Sequence, residues 1–120
     1  MIRVWLAIAG LGGLASVAAG ALAAHLAGEP RAAELLHTGA TYGMVHAAAL
    51  IAVIALVQGR EPRRCAAAVA GWSFVAGIVL FSGSLFALAG SEARWLGWVT
   101  PFGGVALLLG ALGTLAFRRR

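Results

Sequence analysis

Charges punctuate this chain at only a few places. Between them run four stretches free of Asp, Glu, Lys and Arg: residues 4–28, 35–59, 65–91 and 95–117. A helix rises about 1.5 Å per residue, so roughly 20 apolar residues cross a hydrocarbon core about 30 Å thick. Every run here has at least 23 residues. The pattern predicts four transmembrane helices at about 4–27, 33–58, 65–90 and 95–117, in a single domain covering residues 1–120. Pro30 suits a first helical position and Glu34 the acidic first turn, so the second helix is expected to begin outside the lipid. The tight connection around Glu61-Pro62 makes helices two and three antiparallel neighbours, and Ser91-Glu92-Ala93-Arg94 does the same for helices three and four. The expected architecture is all-α, an integral membrane four-helix bundle with up-down-up-down topology.

Composition agrees with that reading. Hydrophobic residues make up 62% of the chain and charged residues 11%, against about 45–50% and about 25% in soluble domains, which excludes a water-soluble fold. The net charge of +5 arises from nine arginines, no lysines and four glutamates. With alternating spans, Arg3, Arg60, Arg63, Arg64, Arg118, Arg119 and Arg120 fall on one side and Arg31 and Arg94 on the other. The positive-inside rule then places both termini in the cytoplasm. Arginines grouped in this way are expected to meet anionic lipid headgroups, at about 1 kcal/mol each, and not nucleic acid. The first run exceeds the ~7–15-residue apolar core of a signal peptide, so it reads as a span. Cys65 is the lone cysteine, which excludes an internal disulfide.

Lipid tails are as apolar as leucine, so small residues that let backbones approach are the usual cement between membrane helices. They recur here in rows: Gly12, Ser16, Gly20 and Ala24 on helix one, Gly39, Gly43 and Ala47 on helix two, Ala106, Gly110 and Thr114 on helix four. These rows are expected to carry the helix packing.

Polar side chains are unevenly spread. His25, His37, Thr38, Thr41, Tyr42, His46, Ser82, Ser84 and Thr100 all fall in the outer half of the bilayer under this threading. His46 lies near the midplane, and Thr38, Tyr42 and His46 share an arc of about 80° flanked by the glycine row, which predicts that they face into the bundle. His25, Tyr42, His46, Ser82, Ser84 and Thr100 form a candidate outward-facing polar pocket. His46 reads either as a proton-relay or ligand-binding imidazole or as a neutral ring bonded to a neighbouring helix. His37, nine residues earlier, falls on the opposite face, so the two cannot chelate one ion on a straight helix. Without a closely spaced ligand set, no metal site and no cofactor are expected. No carboxylate lies inside a span, so no enzymatic apparatus is expected either.

Helix four carries Thr100-Pro101 followed by Gly103-Gly104, which predicts either a kink or a helix start at Pro101, with free amides able to hold an anion or a carbonyl oxygen. Trp95 and Trp98 suit an outer aromatic belt and Trp5 an inner one.

Several of these segments together resemble a known family. Gly20-Ala21-Leu22-Ala23-Ala24-His25, Thr38-Gly39-Ala40-Thr41-Tyr42-Gly43-Met44-Val45-His46-Ala47, Phe81-Ser82-Gly83-Ser84-Leu85 and Thr100-Pro101-Phe102-Gly103-Gly104 are similar in order and spacing to the "domain of unknown function 423" family, related to the animal transmembrane protein 256 group. The resemblance covers nearly the whole chain. It implies four membrane helices and a multi-pass protein of the bacterial inner (cytoplasmic) membrane, with no settled activity. Family members often carry a glutamine and an aromatic residue around the Tyr42 and His46 positions, where this chain has Gly43 and Val45.

Two functional expectations follow. The first is a non-enzymatic accessory or structural subunit packing against another membrane protein or a second copy of itself. The alternative is a small-ligand or proton-handling module built on the polar pocket.

Overall fold

The computed structural model describes residues 1–25, 29–60, 63–90, 95–115 and 117. Arg94, Arg118, Arg119 and Arg120, which enter the charge asymmetry, and the turn residues Glu61, Pro62 and Glu92 lie outside the described residues. The described chain is almost wholly helical: α1 (Ile2–His25), α2 (Pro30–Arg60), α3 (Arg64–Gly77), a π-helical turn (Ile78–Ser82), α4 (Gly83–Gly90) and α5 (Leu96–Leu115). Four helices are long and apolar enough to cross a membrane, at Ile2–His25, Pro30–Gly59, Arg64–Gly90 and Leu96–Leu115. The third span is thus α3, the π turn and α4 in one continuous rod.

The packing is less symmetric than a square bundle. α1 lies along α2, the third span packs against both α2 and α5, and α5 makes little contact with α1 or α2. The third span is therefore the centre of the molecule, with 39% of its most apolar window buried against 17% for α1 and α5. Two apolar clusters form. The larger gathers Trp5, Leu50, Val53, Ala70, Phe74 and Leu107, and the smaller gathers Ala19, Leu36 and Ala40.

Several glycines lie where a neighbouring helix comes close. Gly12 faces the Ile78 side chain, Gly20 faces Ala40, and Gly39 lies against Leu85 and Phe86. Gly43 receives Ser16, and Gly110 receives the Phe74 ring. The third span has its own such positions at Gly71 and Gly77, which accommodate Trp5 and Leu107.

One sequence expectation is corrected here, and one open alternative is decided. Trp5 is fully buried, 0% exposed, because Gly71 leaves a gap that the indole fills, with the Trp72 ring edge-on at 6.0 Å. It is a core residue and not a belt residue, whereas Trp95 and Trp98 are exposed. Of the two alternatives at Thr100-Pro101, the helix start at Pro101 is not the one adopted. α5 starts at Leu96 and carries Pro101 inside it, so the amides after Pro101 belong to a continuous helix and offer no free anion site.

Candidate functional site

The π turn touches α1, α2 and α5 as well as the helices that flank it in the third span. A π turn accommodates one extra residue in the helix, loosens the ordinary backbone ladder and often marks a functional position. Here Ser82 and Ser84, two residues apart, point to nearly opposite sides of the helix. Each consequently meets a different helix. Ser82 donates its hydroxyl to the Gly39 carbonyl on α2 at 2.9 Å, and both residues are buried. Ser84 donates to the Phe81 carbonyl at 2.9 Å, which leaves the Thr100 hydroxyl of α5 to donate to the Ser84 oxygen at 2.6 Å.

Backbone contact reinforces the bonds. A Cβ added at Gly103 would overlap the Phe81 backbone nitrogen and stand 2.7 Å from its Cα, so α5 rests directly on the main chain of the π turn. From the opposite side Ser16 of α1 reaches Gly43 close to Ser82. Ser16 is 1% exposed, and its buried hydroxyl has no hydrogen-bond partner among the described residues. The segments Phe81-Ser82-Gly83-Ser84 and Thr100-Pro101-Phe102-Gly103-Gly104, read separately in the sequence, thus meet at one junction.

The six residues of the expected polar pocket divide into three groups. Ser82, Ser84 and Thr100 belong to the junction, with their hydroxyls engaged in bonds between or within helices. Tyr42 and His46 form a second group on α2, their rings stacked at 6.2 Å with an interplanar angle of 14°. His25 is exposed at the end of α1, nine residues beyond Ser16 and so about 13 Å further along the helix. It makes no hydrogen bond or ring contact with the other five among the described residues. A cleft of about 360 Å³ opens elsewhere, lined by Glu29, Pro30, Arg31, Ala32, Leu88, Ala89 and Gly90; none of the six lines it.

Tyr42 departs from its expected inward orientation. It is 47% exposed, because Gly39 and Gly43 bring the α2 backbone so close to its neighbours that the tyrosine at the edge of the arc is left outside. It packs edge-on against Phe81 at 5.1 Å, and His46 tilts against Phe74 at 5.8 Å. The His46 Nδ1 lies 2.7 Å from the Tyr42 carbonyl. A carbonyl only accepts, so Nδ1 holds the proton and, in the neutral ring, Nε2 carries the free lone pair. Phe74, Phe81 and Gly103 were not singled out as site residues by sequence reasoning, although the position of Gly103 directly after Thr100-Pro101 was a usable signal.

The sequence profile of the protein family of unknown function DUF423 matches residues 19–104. The chain belongs to this family. Among DUF423 relatives, the UPF0382 membrane protein YwdK of Bacillus subtilis is 37% identical over 111 residues, covering 90% of this chain and 89% of that protein. A UPF0382 membrane protein of Haemophilus influenzae is 38% identical over 109 residues, covering 88% and 86%. The UPF0382 inner membrane protein YgdD of Escherichia coli is 34% identical over 131 aligned positions, covering 98% and 94%. No solved structure matches the chain. Location in the bacterial inner membrane follows from these DUF423 relatives and from the four membrane-length helices. Both segments that meet at the π turn lie within the stretch matched to the DUF423 profile, Thr100 to Gly104 at its very end.

The junction makes a direct prediction. If the Thr100 to Ser84 bond couples α5 to the third span, Ser84→Ala and Thr100→Val will not add. A double-mutant cycle on unfolding in sodium dodecyl sulfate is expected to give a coupling of about 0.6 kcal/mol and at most about 1.7 kcal/mol. Strict additivity would show that the bond is energetically idle.

Proposed function

We propose that this chain is a non-enzymatic accessory or structural protein of the inner membrane, a rigid helical subunit that packs against a larger membrane protein or a second copy of itself. The observation that carries this reading is how the buried hydroxyls are used. Ser82, Ser84 and Thr100 are engaged in bonds that tie α2, the third span and α5 together. Polar groups inside a membrane are expensive, and here they are committed to holding a shape. The small residues facing neighbouring helices, Gly12, Ser16, Gly20, Gly39, Gly43 and Gly110, support the same reading.

Up-down-up-down threading with cytoplasmic termini belongs to this proposal. The order of contacts supports it: Trp5 and Gly12 of α1 meet Gly71 and Ile78 of the third span in parallel sense, whereas Gly103 and Gly110 of α5 meet Phe81 and Phe74 in reverse. Exposed Arg3, Arg63 and Arg64 then share the cytoplasmic rim, where anionic headgroups contribute about 1 kcal/mol per arginine.

The test is extraction of the natively expressed protein in mild detergent, followed by determination of the mass of the complex and of every co-purifying chain. A stoichiometric membrane partner or a defined oligomer is the expected result; a monodisperse single chain would overturn the reading. A second reading, the small-ligand module, is favoured by one specific observation, the stacked and partly exposed Tyr42–His46 pair midway along α2.

A further inference from the structure

We infer that Tyr42 and His46 form a binding site for a lipid-soluble molecule with a planar, hydrogen-bonding head of the quinol class. The inference goes beyond the accessory role and does not depend on it; it rests on the ligand reading and gives that reading a place and a chemistry.

Four observations converge on the site. His46 lies one residue from the centre of the 31-residue α2, which puts its imidazole deep in the hydrocarbon and far from the headgroups at either rim. Its Nδ1 proton is committed to the Tyr42 carbonyl, so the group offered outward is the bare Nε2 acceptor. Tyr42, one turn away, is 47% exposed and offers a phenolic donor. Neither Nε2 nor the Tyr42 hydroxyl has a hydrogen-bond partner among the described residues. In water such groups would simply be solvated, but in lipid no solvent satisfies them, and an unpaired acceptor and donor side by side call for a partner that supplies both complements.

The surroundings define that partner. The two rings are nearly parallel, 14° apart, and are held from behind by Phe81 and Phe74. Fixed ring faces beside a donor and an acceptor suit a flat head that stacks or lies edge-on, not a flexible alkyl alcohol. A quinol hydroxyl donates to Nε2 while its oxygen accepts from the phenol of Tyr42, and its hydrocarbon tail runs along the exposed apolar surface of α2 beside the pair, where Val45 is more than half exposed. The ligand is neutral, so no charge is brought into the bilayer core.

The test uses the full chain in lipid nanodiscs, with decylubiquinol kept reduced under argon as probe and n-decanol as a hydroxyl without a planar ring. Saturable binding of decylubiquinol above the level in empty nanodiscs is expected, with a shift of the His46 Nε2 resonance in protein labelled with ¹⁵N-histidine. Tyr42→Phe and His46→Phe are each expected to weaken binding roughly five- to tenfold, the size of one neutral hydrogen bond. His37→Phe, an exposed histidine on another face, serves as the control and is expected to bind as the parent does. Unsaturable partitioning equal to that in empty discs would overturn the proposal, as would undiminished binding in both variants or equal competition by n-decanol. If decylubiquinol fails but a different small molecule co-purifies and is lost in Tyr42→Phe, the quinol assignment falls while the ligand reading stands. If cysteines placed at Tyr42 cross-link two copies in native membranes, a second chain covers the pair and the proposal also falls.

Discussion

Gly103→Ala is expected to detach the fourth span from the third and to be among the most damaging single methyl groups that can be added to this protein. The added Cβ overlaps the Phe81 backbone nitrogen and stands 2.8 Å from the Leu80 carbonyl carbon. Main-chain atoms cannot rotate aside, so α5 must move as a body. Movement there is not local. Leu107 would withdraw from Gly77 and Gly110 from the Phe74 ring, and the 2.6 Å bond between Thr100 and Ser84 would stretch. Overpacking in a tight core costs about 1–3 kcal/mol, and the coupled losses put this variant at about 3 kcal/mol. Gly10→Ala is the matched control: nothing lies within 4 Å of its added Cβ, and alanine's better helix propensity makes it neutral or slightly stabilising. Titration with sodium dodecyl sulfate, followed by helical circular dichroism, should separate the two variants clearly. Equal midpoints would mean that α5 is not seated on the π turn.

How much of this was visible in the sequence depends on the range over which each signal acts. The spans were legible, because a charge-free run of 23 residues has one low-energy fate in lipid, independent of its neighbours. The partners of Gly12, Gly39 and Gly110 were not, because a glycine shows where a helix can come close but not which one comes. The serine junction was half legible. Phe81 to Ser84 and Thr100 to Gly104 stood out as segments, but their meeting depends on a π turn whose extra residue is fixed by tertiary packing. Of the arc of Thr38, Tyr42 and His46, expected to face inward, Thr38 and His46 are half-buried and Tyr42 alone is exposed. Angular arithmetic places side chains around an axis; it does not say how far the glycine ridge sinks into its neighbours, and that depth is what leaves Tyr42 outside. The proton on His46 Nδ1 was illegible, since it follows from a single 2.7 Å contact.

Trp5 carries the second large expectation. Its indole is the largest fully buried side chain among the described residues and fills the space that Gly71 leaves between α1 and the third span. In water much of the cost of Trp→Ala would be lost hydrophobic transfer, but in lipid the unfolded reference is also apolar, so that contribution largely drops out. What remains is the cavity and the lost dispersion contacts, about 2–4 kcal/mol for so large a void. Trp5→Ala is therefore expected to lower the unfolding midpoint strongly, comparably with Gly103→Ala but at the other end of the third span. Trp5→Phe separates volume from polarity. The indole Nε1 is buried without a partner among the described residues, and an unsatisfied donor of that kind costs about 1–3 kcal/mol. Phenylalanine removes that cost while giving up part of the packing, so the two changes oppose each other and the variant is expected to lie within about 1 kcal/mol of the parent. The same detergent titration measures both variants. A Trp5→Phe loss as large as that of Trp5→Ala would mean that the indole N–H is satisfied in the membrane after all, by lipid carbonyl or water reaching the end of the bundle, and Trp5 would then be both a core residue and an anchor.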